Sequence, residues 1–156
     1  MLQEIKTDER AVMPLYNHFD PDLRVVYAQY TGHVTLEDVT TGIQLTAEIV
    51  EAYPHIPFHN IVDMREMTSY PTNVFQVMDT VRKTYKHRIT GWVLIVSERN
   101  QVIQFIISVV GQTFNFRFRF FNQLEEAVAF LREQDPNLLP LEDWLAQHSV
   151  ENLPPV

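Results

Sequence analysis

The sequence contains no cysteine, which excludes disulfides, thiolate nucleophiles and zinc–thiolate centres. It has only four glycines, Gly32, Gly42, Gly91 and Gly111, all isolated. No glycine-rich loop is therefore available to cradle a phosphate. Cations are scarce: 12 Lys and Arg stand against 20 Asp and Glu, a formal net charge of -8. A field of that sign disfavours nucleic acid and anionic membrane as principal partners. No apolar run approaches the roughly 20 residues that a membrane-spanning helix needs. The opening MLQEIKTDER carries mixed charge and lacks the apolar stretch of a secretory leader. These absences lead to the expectation of a soluble, cytoplasmic protein.

What is present suits a folded domain. The chain has 156 residues, 46% of them hydrophobic and 21% charged, enough apolar material for a core and too little charge for wholesale disorder. Nine prolines punctuate it. There is no internal repeat. The reading divides it into a lead-in strand and turn over 1–22, an α/β domain over 23–135, and a short helix with a tail over 136–156.

The local patterns alternate. A first strand over Ala11–Tyr16, a turn at YNHFDPD and the β-branched and aromatic run LRVVYAQY predict a hairpin. Thr35 with Asp38 forms a capping-box pair, and Leu36, Val39, Ile43, Ala47 and Val50 follow at helical spacing until Pro54. HNIVD predicts a short strand ending near Asp63, and TSYPTN a turn. Val74, Val77, Met78, Val81 and Tyr85 make a second helical stripe, with Arg82, Lys83, Lys86, His87 and Arg88 at its negative end. TGWVLIVS reads as a strand buried on both faces. QVIQFIISVVGQ follows as a helix, with Ser97 as its cap and Gly111 as its stop. FNFRFRFF alternates, with Phe114, Phe116, Phe118 and Phe120 on one side and Asn115, Arg117 and Arg119 on the other. Asn122 with Glu125 predicts another capping box, and LEDWLAQ a terminal helix whose Trp144 and Leu145 dock on the core. Together these patterns predict an α/β fold: a mixed, mostly parallel central sheet of about five strands with about four helices.

Several constellations bear on chemistry. Ser97 ends a buried strand but lacks the glycines of a nucleophile elbow. Asp63 and Glu66 are two carboxylates near a strand end, with Arg65 between them. His55 and His59 have helical metal-ligand spacing, but Pro57 intervenes and no third ligand is in place. No catalytic residue, metal ligand or cofactor is assigned. Arg117 and Arg119, with Arg82, Lys83, Lys86 and Arg88, form a candidate anion or partner patch; protecting an edge strand is the competing role. The phenylalanine stripe reads as core, with an apolar ligand pocket beneath it as the alternative. Thr68, Ser69 and Thr72 precede a helix, where hydroxyls cap backbone N–H groups or, once phosphorylated, meet the helix dipole.

The phrases RVVYAQYTGHVTLEDV, HNIVDMREM, GWVLIVSE and FRFRFFNQLEEAVAFL, taken in that order over Leu23 to Glu133, resemble the STAS-like superfamily. They resemble most its SpoIIAA-like branch of bacterial proteins. The resemblance implies a small mixed-sheet domain that acts as a regulatory module on protein partners; some relatives bind nucleotides or lipid-like ligands. In the antagonists of anti-sigma factors, a serine opening the helix after a "VVLDL"-like strand is phosphorylated, preceded by aspartate and soon followed by glycine. Here that stretch is MREMTSYPTNV, which lacks the Asp-Ser pair and the glycine. Asp63, Thr68, Ser69 and Thr72 therefore form only a candidate interaction loop. The leading expectation is a non-enzymatic regulatory or protein-interaction module with an unidentified protein partner. A carrier of a small apolar molecule and an enzyme using Asp63, Glu66 or Ser97 are the alternatives. Self-association as a homodimer, through the arginine-bearing strand and the terminal helix, is a further expectation.

Overall fold

A strand without a polar face must be covered on both sides, and Trp92–Val96 lies within a five-stranded sheet with Val93 to Val96 all buried. The computed structural model describes residues 15–84, 91–98, 100–138 and 140–148, the side chains of 144, 147 and 148 excepted. The strands β1 (Leu15–Asp20), β2 (Val25–His33), β3 (His59–Ser69), β4 (Trp92–Val96) and β5 (Arg117–Phe121) lie side by side in chain order. β1 runs antiparallel to β2, and every other pairing is parallel. The sheet is mixed and mostly parallel, as the alternating patterns predict. Between and after the strands come α1 (Leu36–Ala52), α2 (Val74–Thr84), α3 (Gln101–Thr113), α4 (Leu124–Gln134) and α5 (Glu142–His148).

Three parallel crossovers step the same way across the sheet. Crossovers of one hand that step one way put their helices on one face, and α1, α2 and α3 share one. The other face is covered by α4 and α5, whose Ala127, Val128, Leu131 and Leu145 pack with Tyr27, Ile61, Leu94 and Val96 of the sheet. Burying an aliphatic or aromatic side chain of this size contributes roughly 1.5–3 kcal/mol, so this face holds the main core. Leu145 docks as expected; the Trp144 side chain lies outside the described residues. Among the described residues no helix is long and apolar enough to cross a membrane.

Several boundaries differ from the sequence reading, each for a local reason. The first strand is Leu15–Asp20, so it includes His18 and Phe19, which the pattern placed in a turn. The turn comes later because Asp20 Oδ1 accepts from the N–H of Asp22 and Leu23, and Arg24 takes φ 56°. Residues 11–14 of the expected strand lie outside the described residues, as do Tyr85, Lys86, His87 and Arg88. β3 does not stop near Asp63 but runs to Ser69, because β2 continues to His33 and keeps pairing through two register shifts. Thr68 and Ser69 are thus strand residues. The cap of α2 is Asn73, whose Oδ1 accepts from the N–H of Phe75 and Gln76. The cap of α3 is Asn100 instead of Ser97. That helix also passes through Gly111. It ends where Asn115 takes φ 57°, with Phe116 N–H bonded to the Gly111 carbonyl and Asn115 N–H to that of Gln112, a left-handed stop of the kind asparagine tolerates. Phe114 therefore belongs to a helix end, and only Arg117–Phe121 is strand. At α4 the cap is Gln123 without a side-chain bond, so the Asn122–Glu125 box does not form. The Thr35–Asp38 box does form, with both reciprocal bonds.

Candidate functional site

The C-terminal edge of the parallel strands gathers the candidate loop. Thr68 is exposed at the end of β3, and Ser69 is hydrogen-bonded through Oγ to His33 Nδ1. Thr72 is exposed beyond it. Tyr70 Oη and the Asn100 side-chain amide bond each other (3.1 and 2.9 Å), tying the segment before α2 to the segment before α3. Directly after these caps the first two turns of the helices present apolar side chains to solvent: Phe75 is 78% exposed, Phe105 61% and Val102 48%. The inward stripes explain why. Val77 and Val81 of α2 and Ile103 and Ile106 of α3 are buried, and Phe75, Val102 and Phe105 fall off those stripes. The sequence reading passed over them, although the helical spacing carries the signal.

Asp63 is placed differently. It is 0% exposed and points into the core on the α4 face. Tyr27 Oη donates to Oδ2 at 3.0 Å, and the Arg65 backbone N–H and Nε donate to Oδ1 at 3.1 and 3.0 Å. Arg65 Nη2 donates to Oδ2 at 2.8 Å. The hydrogen bonds to Asp63 raise the Arg65 pKa, against its own burial. Such a carboxylate has its acceptor sites filled and stands apart from the exposed loop residues. Glu66 is exposed, and Ser97 is buried with its Oγ lacking a hydrogen-bond partner, so no base addresses that hydroxyl.

The histidines are likewise dispersed. His55 is exposed. His59 Nδ1 accepts the Trp92 N–H at 3.0 Å, and Nε2 lies 3.3 Å from Asp135 Oδ2. Burial lowers the His59 pKa, more than Asp135 raises it. Asp135 also pairs with Arg24 at 2.9 Å. Its pKa is lowered: burial pushes it up, but the hydrogen bonds from Arg24 and His59 win. Among the described residues no cluster of three or more metal-binding side chains occurs.

Arg117 and Arg119 lie on β5, the sheet edge, with their guanidinium groups over aromatic rings. Arg117 is 5.4 Å from the Trp92 centroid, and Arg119 is 4.8 Å from that of Phe130 and 5.9 Å from that of Phe121. They cover the α4 face, whereas Arg82 and Lys83 ride on α2 over the opposite face. The two sets are therefore not one patch among the described residues.

A hollow of about 220 Å³ lies between the sheet and α1, α2 and α3. Ala28, Val62 and Ile95 of the sheet face Ile43, Val77 and Ile106 of the helices across it, and Phe116 and Phe118 close one side. Gly42 lets the helix approach Tyr30, since a Cβ there would meet Tyr30 Oη at 2.2 Å. Burial first, then the nearby Asp38, pushes the Tyr30 pKa up to about 12. Asn60 also lines the hollow, is 8% exposed, and its Oδ1 has no hydrogen-bond partner. A buried acceptor left in this state is expensive, at about 1–3 kcal/mol.

No family model matches the sequence, and no curated protein matches it. Among solved structures, one is similar over 75% of this chain and 91% of its own at 17% identity, with a TM-score of 0.50: an uncharacterized protein of the DUF3478 family with a SpoIIAA-like fold from Shewanella loihica PV-4. A second, the anti-sigma factor antagonist SpoIIAA in its unphosphorylated form, matches at 11% identity over 78% of this chain and 98% of its own, with a TM-score of 0.47. The chain has a SpoIIAA-like fold, in agreement with the sequence resemblance.

Proposed function

We propose that this chain is a non-enzymatic regulatory module that docks a protein partner on the rim where α2 and α3 begin. The observation that carries the reading is the outward exposure of Phe75, Val102 and Phe105 on two adjacent helix starts. Apolar side chains gathered on a surface mark interaction sites more often than isolated ones do, and aromatic residues are enriched at such sites. Thr68 and Thr72 border the same rim, so a modification there would add charge beside the docking surface. The arginines of β5 would supply a second, anion-accepting contact. The acidic charge and lack of cysteine accord with a cytoplasmic setting.

The test is affinity capture from native lysate with the wild-type chain and with Phe75→Glu/Phe105→Glu. A stoichiometric protein held by the first and lost by the second, at an unchanged urea midpoint, supports the reading. Capture that survives the double substitution, or repeated recovery of nothing, sinks it. Light scattering of the same two proteins identifies a second copy of the chain as the occupant if the wild type alone is a dimer. Ser69→Asp and Thr72→Asp address regulation: loss of the captured protein without loss of stability marks a phosphate-sensitive surface.

A further inference from the structure

The hollow under α1, α2 and α3 stands apart from the rim. Among the described residues none of its lining side chains is charged. Of the polar ones, Thr46 donates to the Gly42 carbonyl and Tyr70 is engaged by Asn100. Tyr30 turns its hydroxyl toward Gly42 of α1, and Asn60 is a buried amide at the wall whose oxygen has no partner. Packed interiors avoid both features at once: voids of this size are few, and buried polar atoms are normally bonded. Here they coincide.

We propose that the hollow is a binding site for a small, uncharged, mostly apolar molecule of roughly ten heavy atoms that carries one hydrogen-bonding group, received by Asn60. The size follows from scale. An apolar cavity of about 150 Å³ accommodates benzene, and this one measures about 220 Å³. Among the described residues no charged side chain lines the hollow to offset the desolvation of a carboxylate or ammonium, which favours an uncharged ligand. Specificity comes from the amide. It offers an acceptor to a hydroxyl or N–H group or, with the amide turned, a donor to a carbonyl. A hydrocarbon of the same shape leaves Asn60 unpaired and binds less tightly, because sites built around a buried polar group discriminate against analogues that lack its partner.

The probes are 2-naphthol and naphthalene, titrated calorimetrically into the full chain. The expected result is saturable binding of 2-naphthol at one per chain and weaker binding of naphthalene. Asn60→Leu, which replaces the amide with an apolar group of similar size, should weaken 2-naphthol about tenfold or more while leaving naphthalene bound as well or better. Asn60→Val reads the same contrast if leucine distorts the strand. Ala28→Leu, which fills the hollow, should abolish binding of both. Three results would overturn the proposal: no saturation by 2-naphthol, equal binding of 2-naphthol to wild type and both Asn60 variants, or undiminished binding to Ala28→Leu. Failure of the rim to capture a protein bears on none of these readings, so the two sites are tested separately.

Discussion

Removing the Arg65 side chain asks whether the Tyr27–Asp63–Arg65 cluster is structural. Arg65→Ala deletes two donors to Asp63, from Nε at 3.0 Å and Nη2 at 2.8 Å, and leaves Tyr27 Oη and one backbone N–H. The carboxylate stays where it is, at 0% exposure, while the lost guanidinium was 34% exposed. Breaking a buried ion pair by removing one member costs about 3–5 kcal/mol, since the remaining charge is stranded. The partial exposure of Arg65 screens the pair and puts the expectation at the low end, ~3 kcal/mol. For a domain of this size that is a drop in Tm of about 6–12 °C. Placing Asp63→Asn in the Arg65→Ala background removes the stranded charge but keeps an acceptor for Tyr27. It should restore roughly half of the loss. Urea titration checks both variants, with an unchanged m value showing that the change lies in stability. A loss below about 1 kcal/mol for Arg65→Ala, the range of exposed pairs, would refute the reasoning.

Three further outcomes are expected. Thr35→Ala should lower stability by about 1 kcal/mol through loss of the α1 cap, and Thr35→Ser should be nearly neutral; urea midpoints decide. Gly42→Ala should destabilise because its Cβ would meet Tyr30 Oη at 2.2 Å, whereas in a Tyr30→Phe background the loss should shrink, since the nearest atom left is the ring Cζ at 3.3 Å. A double-mutant cycle that shows no coupling between the two positions refutes the close approach. Stability should also fall in two stages on acidification, and urea midpoints from pH 7.5 to 3 read them. The lowered pKa of His59 means that the unfolded chain takes up that proton first, so stability declines as pH drops from about 6.5 to the folded value. The contribution of Asp135, whose pKa is also lowered, persists to lower pH and is lost as pH falls through its folded value. His59→Asn, which keeps an acceptor for the Trp92 N–H, should remove the upper stage; an unaltered profile in that variant would count against it.

The parts of this fold that were legible in the sequence have determinants within a few residues of one another. The Thr35–Asp38 box, the buried run of β4 and the stripe of α2 need only their own segments to declare themselves. Ends were less legible because partners set them. β3 gains the stretch from Met64 to Ser69 because β2 offers it backbone groups as far as His33, and no pattern inside MREMTS announces that. The caps show the same effect at smaller scale. Ser97, Asn122 and Thr72 are good capping residues by type, yet Asn100, Gln123 and Asn73 occupy the turns, since position is fixed by where each strand releases the chain.

The two candidate surfaces divide along the same line. That Phe75 and Phe105 face outward follows from their own helices, because each sits off a stripe that the sequence displays. That Asn60 stands alone depends on what three helices and a sheet leave between them, and no property of the strand reveals it. Asn60 looks in sequence like an ordinary polar residue beginning a strand, and only the packing around it removes its partners. Changes that close the hollow without touching Asn60 should therefore alter its environment as much as changes to Asn60 itself. A sheet substitution such as Ala28→Leu consequently bears on ligand binding, although Ala28 carries no polar group.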